Sequence, residues 1–242
     1  MRLHVTGATG YLGSELVRLR PDASSERVEI RDAAAVRELL ARVRPDVVIH
    51  TAYRQHEDDV NTVGSENVAR AAAAVGARLI HLSTDVVYDG RKGSPYVEDN
   101  PVSPVTAYGR AKAEAEERVA DACPRALIVR TSLLYGGAEP SQQERFARDP
   151  EATFYADEIR SPVQVTDLAQ ALLELAALPV SGVLHVAGAD GVSRAEFAEL
   201  VSGRPVRTAP APQDRPLDCR LESSRAQRLL RTRLRGVREV LG

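Results

Sequence analysis

The sequence predicts an α/β protein built on a doubly wound parallel sheet. Three observations carry this expectation. Short apolar runs alternate with longer helical ones along the chain, which is the pattern of βαβ units. Runs such as "DVVIH" and "ALIV" are continuously apolar, as strands covered on both faces must be. A glycine-rich turn joins the first apolar run to the first helix.

The elements follow in order. "RLHVT" (2–6) is a short strand, and "GATGYLG" (7–13) is a turn opening a helix that runs to about Leu19. "RLRPDASSERVEIRD" (18–32) leaves little room for a second full strand, and Asp22 falls in a polar turn. "AAVRELLARV" (34–43) places Val36, Leu39, Leu40 and Val43 on one helical face, and Pro45 stops it. "DVVIH" (46–50) is a strand, "NTVGSENVARAAAAV" (61–75) a helix stopped by Gly76, and "RLIHLS" (78–83) a strand. After a Gly/Pro-rich loop comes a helix from about Val105 to Ala122, ended before Pro124. "ALIVRTS" (126–132) is a strand, "VTDLAQALLELAAL" (165–178) a helix, "GVLHVAG" (182–188) a strand and "SRAEFAELV" (193–201) a helix. "RTAPAPQDRP" (207–216) reads as a proline-rich loop, and the last helical stretch covers about 223–241. There is no internal repeat.

Totals bound the function. With 242 residues, 43% apolar and 27% charged, the chain suits one globular unit with a small lobe attached. A net charge of −2, with arginines spread among acids, provides no basic field for a nucleic-acid or anionic-membrane partner. No apolar run reaches the ~18 residues of a membrane span, and the N-terminus enters a strand without a signal-peptide core, so a cytoplasmic location is expected. Cys123 and Cys219 lack metal or redox spacing and read as reduced thiols. "HEDD" (56–59) reads as a solvated loop or helix start, and no metal site is expected.

Ligands of such sheets bind beyond the carboxyl ends of the strands. Gly7, Gly10 and Gly13 stand there, where glycine allows a tight turn and a helix N-terminus offers N–H donors to a pyrophosphate. A dinucleotide is the expected ligand. Glu29 and Asp32 could approach its adenine, and Arg18 or Arg20 a 2′-phosphate, though a solvated helix end is the favoured reading of both arginines. NAD and NADP both remain open.

Tyr108 and Lys112 lie four apart on a predicted helix and so share a face. A tyrosine can protonate a carbonyl oxygen as hydride reaches the carbon, and a nearby ammonium lowers the phenol's pKa from about 10. The chain has two lysines, Lys92 and Lys112, among 32 basic residues. Lysine at position 112, in a chain that favours arginine, points to a site requiring a compact ammonium. "LSTD" (82–85) ends a predicted central strand, where the hydroxyl of Ser83 or Thr84 can meet a substrate carbonyl.

The segments "TGATGYLG", "HLSTDVVYDG", "AYGRAKAEAE", "RTSLLYGG", "SPVQVTDLAQALLEL", "GVLHVAG", "SRAEFA" and "RPLDCRLESSRA" occur in this order. Together they resemble the dTDP-4-dehydrorhamnose reductases and their sugar-nucleotide-binding relatives, within the extended short-chain dehydrogenase/reductase superfamily. The resemblance covers nearly the whole chain. It implies a Rossmann-type dinucleotide-binding domain (1–139 plus about 163–189) and a small C-terminal substrate-binding lobe (about 140–162 plus 190–242).

The resemblance also implies an NADPH- or NADH-dependent ketoreductase that acts on C4 of a nucleotide-linked 4-keto-6-deoxyhexose. Thr84, Tyr108 and Lys112 would form its catalytic triad. Gly7, Thr9, Gly10, Tyr11, Leu12, Glu29, Ile30, Thr51, Ala52, Tyr53, Ser83 and Thr131, with Tyr108 and Lys112, would line the cofactor. Asp85, Val86, Ser132, Leu133 and Arg215, with Thr84, would meet the substrate. The chain is shorter than the family usually is at the second strand, after "HTAYRQHEDD" and between "YGG" and "FYADEIRSP". It has Leu133 where the family often has a tryptophan after R-T-S, and leucine cannot stack or donate as an indole does. A non-catalytic protein binding NAD(P) or a sugar nucleotide, and a reductase of a non-sugar ketone, are the alternatives. For assembly, a homodimer is open.

Overall fold

The first apolar run forms strand β1 (Leu3–Thr6) in the computed structural model, which describes residues 1–54 and 57–242. It is followed by α1 (Tyr11–Leu19), α2 (Ala33–Val43), β2 (Val47–His50), α3 (Ser65–Ala74), β3 (Arg78–Thr84), α4 (Ala107–Ala122) and β4 (Leu127–Thr131). A more irregular part holds β5 (Leu134–Tyr135), α5 (Gln142–Ala147), β6 (Thr153–Tyr155), β7 (Ile159–Arg160) and β8 (Val163–Gln164). The chain then returns through α6 (Val165–Ala176) and β9 (Gly182–His185). It ends in β10 (Val192–Ser193), α7 (Arg194–Ser202), β11 (Arg207–Ala209), α8 (Ser224–Leu229) and α9 (Val237–Leu241).

Among the described residues the main sheet runs β1-β2-β3-β4-β9, and every neighbouring pair is parallel. Because side chains alternate along a strand, the sheet has two distinct faces. Leu3, Val5, Val47, Ile49, Ile80, Leu127, Val129 and Leu184 pack with Leu16 of α1 and Leu168, Leu172 and Leu175 of α6. Val48, Leu79 and Ile128 pack on the other face with Val36 and Leu40 of α2, Val68 and Ala72 of α3, and Val119 of α4. Truncating Leu172, which has no exposed surface, to alanine costs about 2–5 kcal/mol.

The same second face also carries His50, His81, Ser83, Arg130 and His185, all buried. α4 supplies partners to His81, Ser83 and Arg130, whereas His50 bonds Thr6 and Ser65, and His185 bonds Tyr88 and the Tyr96 carbonyl.

Beyond β1, residues 20–32 touch the sheet edge through one bridge, His4 to Ser24, with Val5 N–H donating to the Ser24 carbonyl at 2.8 Å. The second strand is reduced to this contact, as the polar run 18–32 anticipates. The helix expected over 61–75 begins with a π-turn at Val60–Gly64. A Cβ on Gly64 would lie 2.7 Å from Ile30 Cδ1, so glycine there admits the Ile30 side chain.

Two expectations are corrected. The stretch 223–241 is two short helices, α8 and α9, rather than one. Leu230 turns extended, and Leu230 and Leu234 both enter the main core. The loop over 207–216 contains β11, which pairs in parallel with β6. In the tail, Ala226, Leu230 and Leu234 pack in the main core, whereas Val237 packs with Tyr135, Val192 and Phe197.

Candidate active site

The carboxyl ends of β1, β2, β3 and β4 lie side by side, in the registers Thr6–His50, His50–His81 and Thr84–Thr131. The glycine turn leaves β1 at this edge. Gly7 has φ 70°, and a Cβ there would lie 2.6 Å from the Ala52 backbone nitrogen. A Cβ on Gly13 would lie 2.1 Å from the Gly7 carbonyl oxygen, so the helix seats against the turn only with glycine. The turn is closed by Gly10 N–H donating to the Gly7 carbonyl at 2.9 Å. Thr51 Oγ1 donates to the Thr6 carbonyl at 2.7 Å and locks the end of β2 beside it.

At the end of β3, Thr84 caps a short 3₁₀ turn, Asp85–Val87, by accepting from Val86 N–H at 3.3 Å. The Thr84 hydroxyl donates to Asp85 Oδ1 at 3.2 Å, and Ser132 Oγ donates to Asp85 Oδ2 at 2.6 Å. Burial pushes the Asp85 carboxyl up, against the opposing pull of Arg160, Ser132 and Thr84.

Helix α4 starts at Ala107 because Thr106 caps it, accepting from Gly109 N–H at 3.0 Å. A Cβ on Gly109 would come within 2.3 Å of the Val86 carbonyl oxygen. The missing side chain lets α4 rest on the turn after Thr84, which brings Tyr108 to the same edge. Tyr108 is half-buried, with its ring 6.1 Å from that of Tyr53. Burial first, then Tyr53 and Asp85, push its phenol above the ordinary tyrosine value. The expected downward pull of Lys112 is not among these causes.

One turn on, Lys112 is 3% exposed. Its Nζ donates to the Leu82 carbonyl at 2.6 Å and lies 3.5 Å from His81 Nε2. Burial lowers its pKa to about 8, opposed by Glu116. Burial and the Lys112 charge hold His50 and His81 far below the usual imidazole range, so both stay neutral. Among the described residues, the buried Thr131 Oγ1 has no hydrogen-bond partner.

A second buried network braces the first. Glu116, one turn after Lys112, receives Ser83 Oγ at 2.5 Å and Arg130 Nη2 at 2.5 Å. Arg130 Nη1 donates to Tyr88 Oη at 2.5 Å, which lies 3.1 Å from His185 Nε2. Glu116 and Arg130 were not singled out in the sequence. Two signals were available: Glu116 continues the four-residue spacing of Tyr108 and Lys112, and Arg130 is a charge inside the apolar run "ALIVRT".

The other expected residues divide. Ser83 is buried and turned into the Glu116 network, whereas Thr84 is half-buried at the sheet edge with its hydroxyl on Asp85. Leu12 and Ile30 bury their side chains in the two cores and offer only backbone to a ligand. Tyr11 Oη receives Gly137 N–H at 2.7 Å and donates to Glu144 at 3.2 Å, tying the glycine turn to the lobe. Ala52 packs beside the core under α3, and Thr9 is exposed at the turn. Glu29 is held by Arg31, Arg18 by Glu15, and Arg20 by Asp22, so both arginines expected near a 2′-phosphate are already paired. The Leu133 carbonyl accepts from Val163 N–H at 2.8 Å. Arg215 is clamped to Glu158 at 3.0 Å, with its guanidinium 5.7 Å from the Tyr155 ring centroid.

Of "HEDD", His56 lies outside the described residues. Among those described, no group of His, Cys, Asp or Glu is arranged to hold a metal ion, and no helix is long and apolar enough to cross a membrane.

This edge is the carboxyl end of a parallel α/β sheet, and the glycine turn, Thr84 and the start of α4 with Tyr108 and Lys112 lie along it. Comparison with known proteins identifies the family. The dTDP-4-dehydrorhamnose reductase of Mycolicibacterium smegmatis is 36% identical, over 99% of this chain and 84% of that protein. The methionine adenosyltransferase 2 subunit beta of Xenopus tropicalis is 30% identical, over 90% of this chain and 80% of that protein. The crystal structure of dTDP-4-dehydrorhamnose reductase from Bacillus anthracis in complex with NADP superposes with a TM-score of 0.88. It is 27% identical, with 99% of this chain and 96% of that one covered. The family model of the RmlD substrate binding domain matches residues 1–242, and the chain belongs to that family.

Proposed function

We propose that the protein is an NAD(P)H-dependent ketoreductase that reduces the C4 keto group of a nucleotide-linked 4-keto-6-deoxyhexose. One observation carries this reading. Tyr108 and Lys112 stand one turn apart on α4, and Gly109 lets that helix rest on the turn that holds Thr84. The residues present fit a dinucleotide. Gly10 opens α1 without a side-chain cap on its first N–H groups, and the buried Thr131 hydroxyl lacks a partner among the described residues. The backbone of residues 7–12 would hold the pyrophosphate, and Lys112 the nicotinamide ribose.

When bound, the reduced nicotinamide supplies a hydride to the keto carbon. The Tyr108 hydroxyl gives its proton to the oxygen that becomes the alcohol. Burial, Tyr53 and Asp85 keep that phenol protonated until the oxygen gains charge. Lys112, titrating near about 8, is an ammonium at neutral pH. With one N–H on Leu82 and one toward His81, it retains a donor for the ribose hydroxyls. To orient the carbonyl, Thr84 turns its hydroxyl proton from Asp85 to the substrate oxygen, and Asp85 keeps its hydrogen bond from Ser132.

Titration with NADH and NADPH, followed by the loss of dihydronicotinamide absorbance on adding a dTDP-4-keto-6-deoxyhexose, tests the reading. Tyr108→Phe should lower turnover about 10²–10⁴-fold with cofactor affinity retained. Undiminished turnover in that variant refutes the mechanism. A second reading, a nucleotide-binding subunit without turnover, is supported by the likeness to the methionine adenosyltransferase subunit and by the reduced second strand. Tight cofactor binding with no turnover on any keto-sugar would select it.

A further inference from the structure

The face of α4 that packs on the sheet buries Lys112 and Glu116, and β4 adds a third buried charge, Arg130, beside them. Glu116 follows Lys112 by four residues, the offset at which a lysine and a glutamate on one helix can pair. They do not pair here. Arg130 takes the carboxylate instead: Nη2 lies 2.5 Å from Oε2, and Nε lies 3.0 and 3.2 Å from the two oxygens. Ser83 Oγ donates to Oε1 at 2.5 Å, so both oxygens are occupied. Tyr88 fixes the guanidinium from its other side, accepting from Nη1 at 2.5 Å with its ring centroid 5.1 Å away.

Among the described residues, no other group supplies Lys112 with a counter-charge. Its hydrogen bonds go to the Leu82 carbonyl and toward His81 Nε2. Burial, then the Lys112 charge, keep His81 on β3 and His50 on β2 neutral. Burial, then Tyr53 and Asp85, keep Tyr108 protonated one turn earlier on α4. Asp85, in the turn after β3, is engaged by Thr84, Ser132 and Arg160. Glu66 on α3 pairs with Arg70 and Arg118. Beyond Arg130 and Tyr88, burial keeps His185 on β9 neutral. A buried ammonium so placed would be captured by any carboxylate released beside it.

We infer that Arg130 is a positioning residue of this site: by holding the Glu116 carboxylate it prevents Glu116 from capturing Lys112, and so keeps one N–H of the ammonium free for the nicotinamide ribose. An arginine suits this task, since its planar fork spans both carboxylate oxygens where a lysine is a single point charge. The same arrangement leaves the Lys112 proton loosely held. Burial lowers its pKa to about 8, and Glu116, bound to Arg130, opposes this only in part. The inference rests on the reading of Lys112 as the donor to the ribose.

NADPH binding as a function of pH, followed by dihydronicotinamide fluorescence on the full chain, tests it. In wild type the affinity should fall as pH rises through about 8, where Lys112 loses its proton. In Arg130→Met the freed Glu116 carboxylate pairs with Lys112 and the ammonium persists to higher pH. The fall should then move up by about one pH unit or more, while the affinity at neutral pH drops about tenfold. In Arg130→Met with Glu116→Gln no carboxylate is left to capture Lys112. Its affinity at neutral pH should recover, and the fall should return to the wild-type pH or below. If Arg130→Met does not fold, Arg130→Lys, which keeps a cation beside Glu116 without the fork, should show a smaller shift of the same sign. The pH of the fall is read within each variant, with circular dichroism constant across the range as the control. A fall at the wild-type pH in both Arg130 variants, or a double variant as weak as Arg130→Met, overturns the inference. Undiminished NADPH affinity in Lys112→Met at neutral pH would overturn it together with the ribose reading. A shifted fall in a protein without turnover on any keto-sugar would support it and remove the reductase reading alone.

Discussion

Replacing Lys112 with methionine removes a buried charge while keeping most of the side-chain volume. In the folded protein Lys112 titrates near about 8, against 10.5 for an ordinary lysine, because burial disfavours the ammonium. That difference corresponds to about 3 kcal/mol. Below the folded value both states carry the proton, and the folded state bears the full penalty. Between about 8 and 10.5 the unfolded chain binds a proton that the folded chain has released, so stability rises with pH. Above that window both states are neutral and the penalty is gone.

Methionine has no such penalty, but it leaves the Leu82 carbonyl without its Lys112 donor, at a cost of about 1 kcal/mol. Lys112→Met should therefore be more stable than wild type by about 2 kcal/mol near neutral pH. That advantage should vanish, and slightly reverse, as pH rises through the window. Reductase activity should be lost at every pH. Urea denaturation of both proteins across this range, with equal m-values as the control, measures the difference. Parallel stability curves from neutral pH to about 10.5 would refute the depressed titration of Lys112 and the account of its burial.

Two further predictions concern how the helix is seated. Gly109→Ala puts a Cβ within 2.3 Å of the Val86 carbonyl oxygen and forces α4 away from the Thr84 turn. Turnover in that variant should fall about tenfold or more, since a shift of about 1 Å at the reacting groups is enough, and NADPH affinity should fall by a smaller factor because Lys112 moves with the helix while the glycine turn does not; a loss of affinity as large as the loss of turnover would count against it. Glu116→Ala leaves the buried Arg130 without its carboxylate and should destabilise the fold by about 3–5 kcal/mol. The double variant Glu116→Leu with Arg130→Met should regain much of that stability in chemical denaturation, and failure to regain any would show that the pair is not the source of the loss.

What was legible in the sequence was local. Gly7, Gly10 and Gly13 act within one turn and one helix start, and Tyr108 and Lys112 within one turn of α4, so spacing alone exposed them. The same spacing reaches Glu116, and its meaning was missed because the carboxylate's partners, Ser83 and Arg130, come from two other elements. The final helix was misjudged for a related reason. Helical periodicity runs through 223–241, but the chain bends so that Leu230 and Leu234 can enter a core made of distant strands.

By itself the sequence determined the alternation of strands and helices, the glycine turn and the tyrosine–lysine pair, because those depend on backbone sterics and on the pitch of a single helix. Only the tertiary structure decided which hydroxyl of "LSTD" is drawn into the interior, since the pleat and the docking of α4 turn Ser83 into the Glu116 pair and leave Thr84 at the edge. It alone also brought Arg130 of β4 to the Glu116 carboxylate beside Lys112. Charges on separate elements act on one another this strongly only when packing removes the water between them.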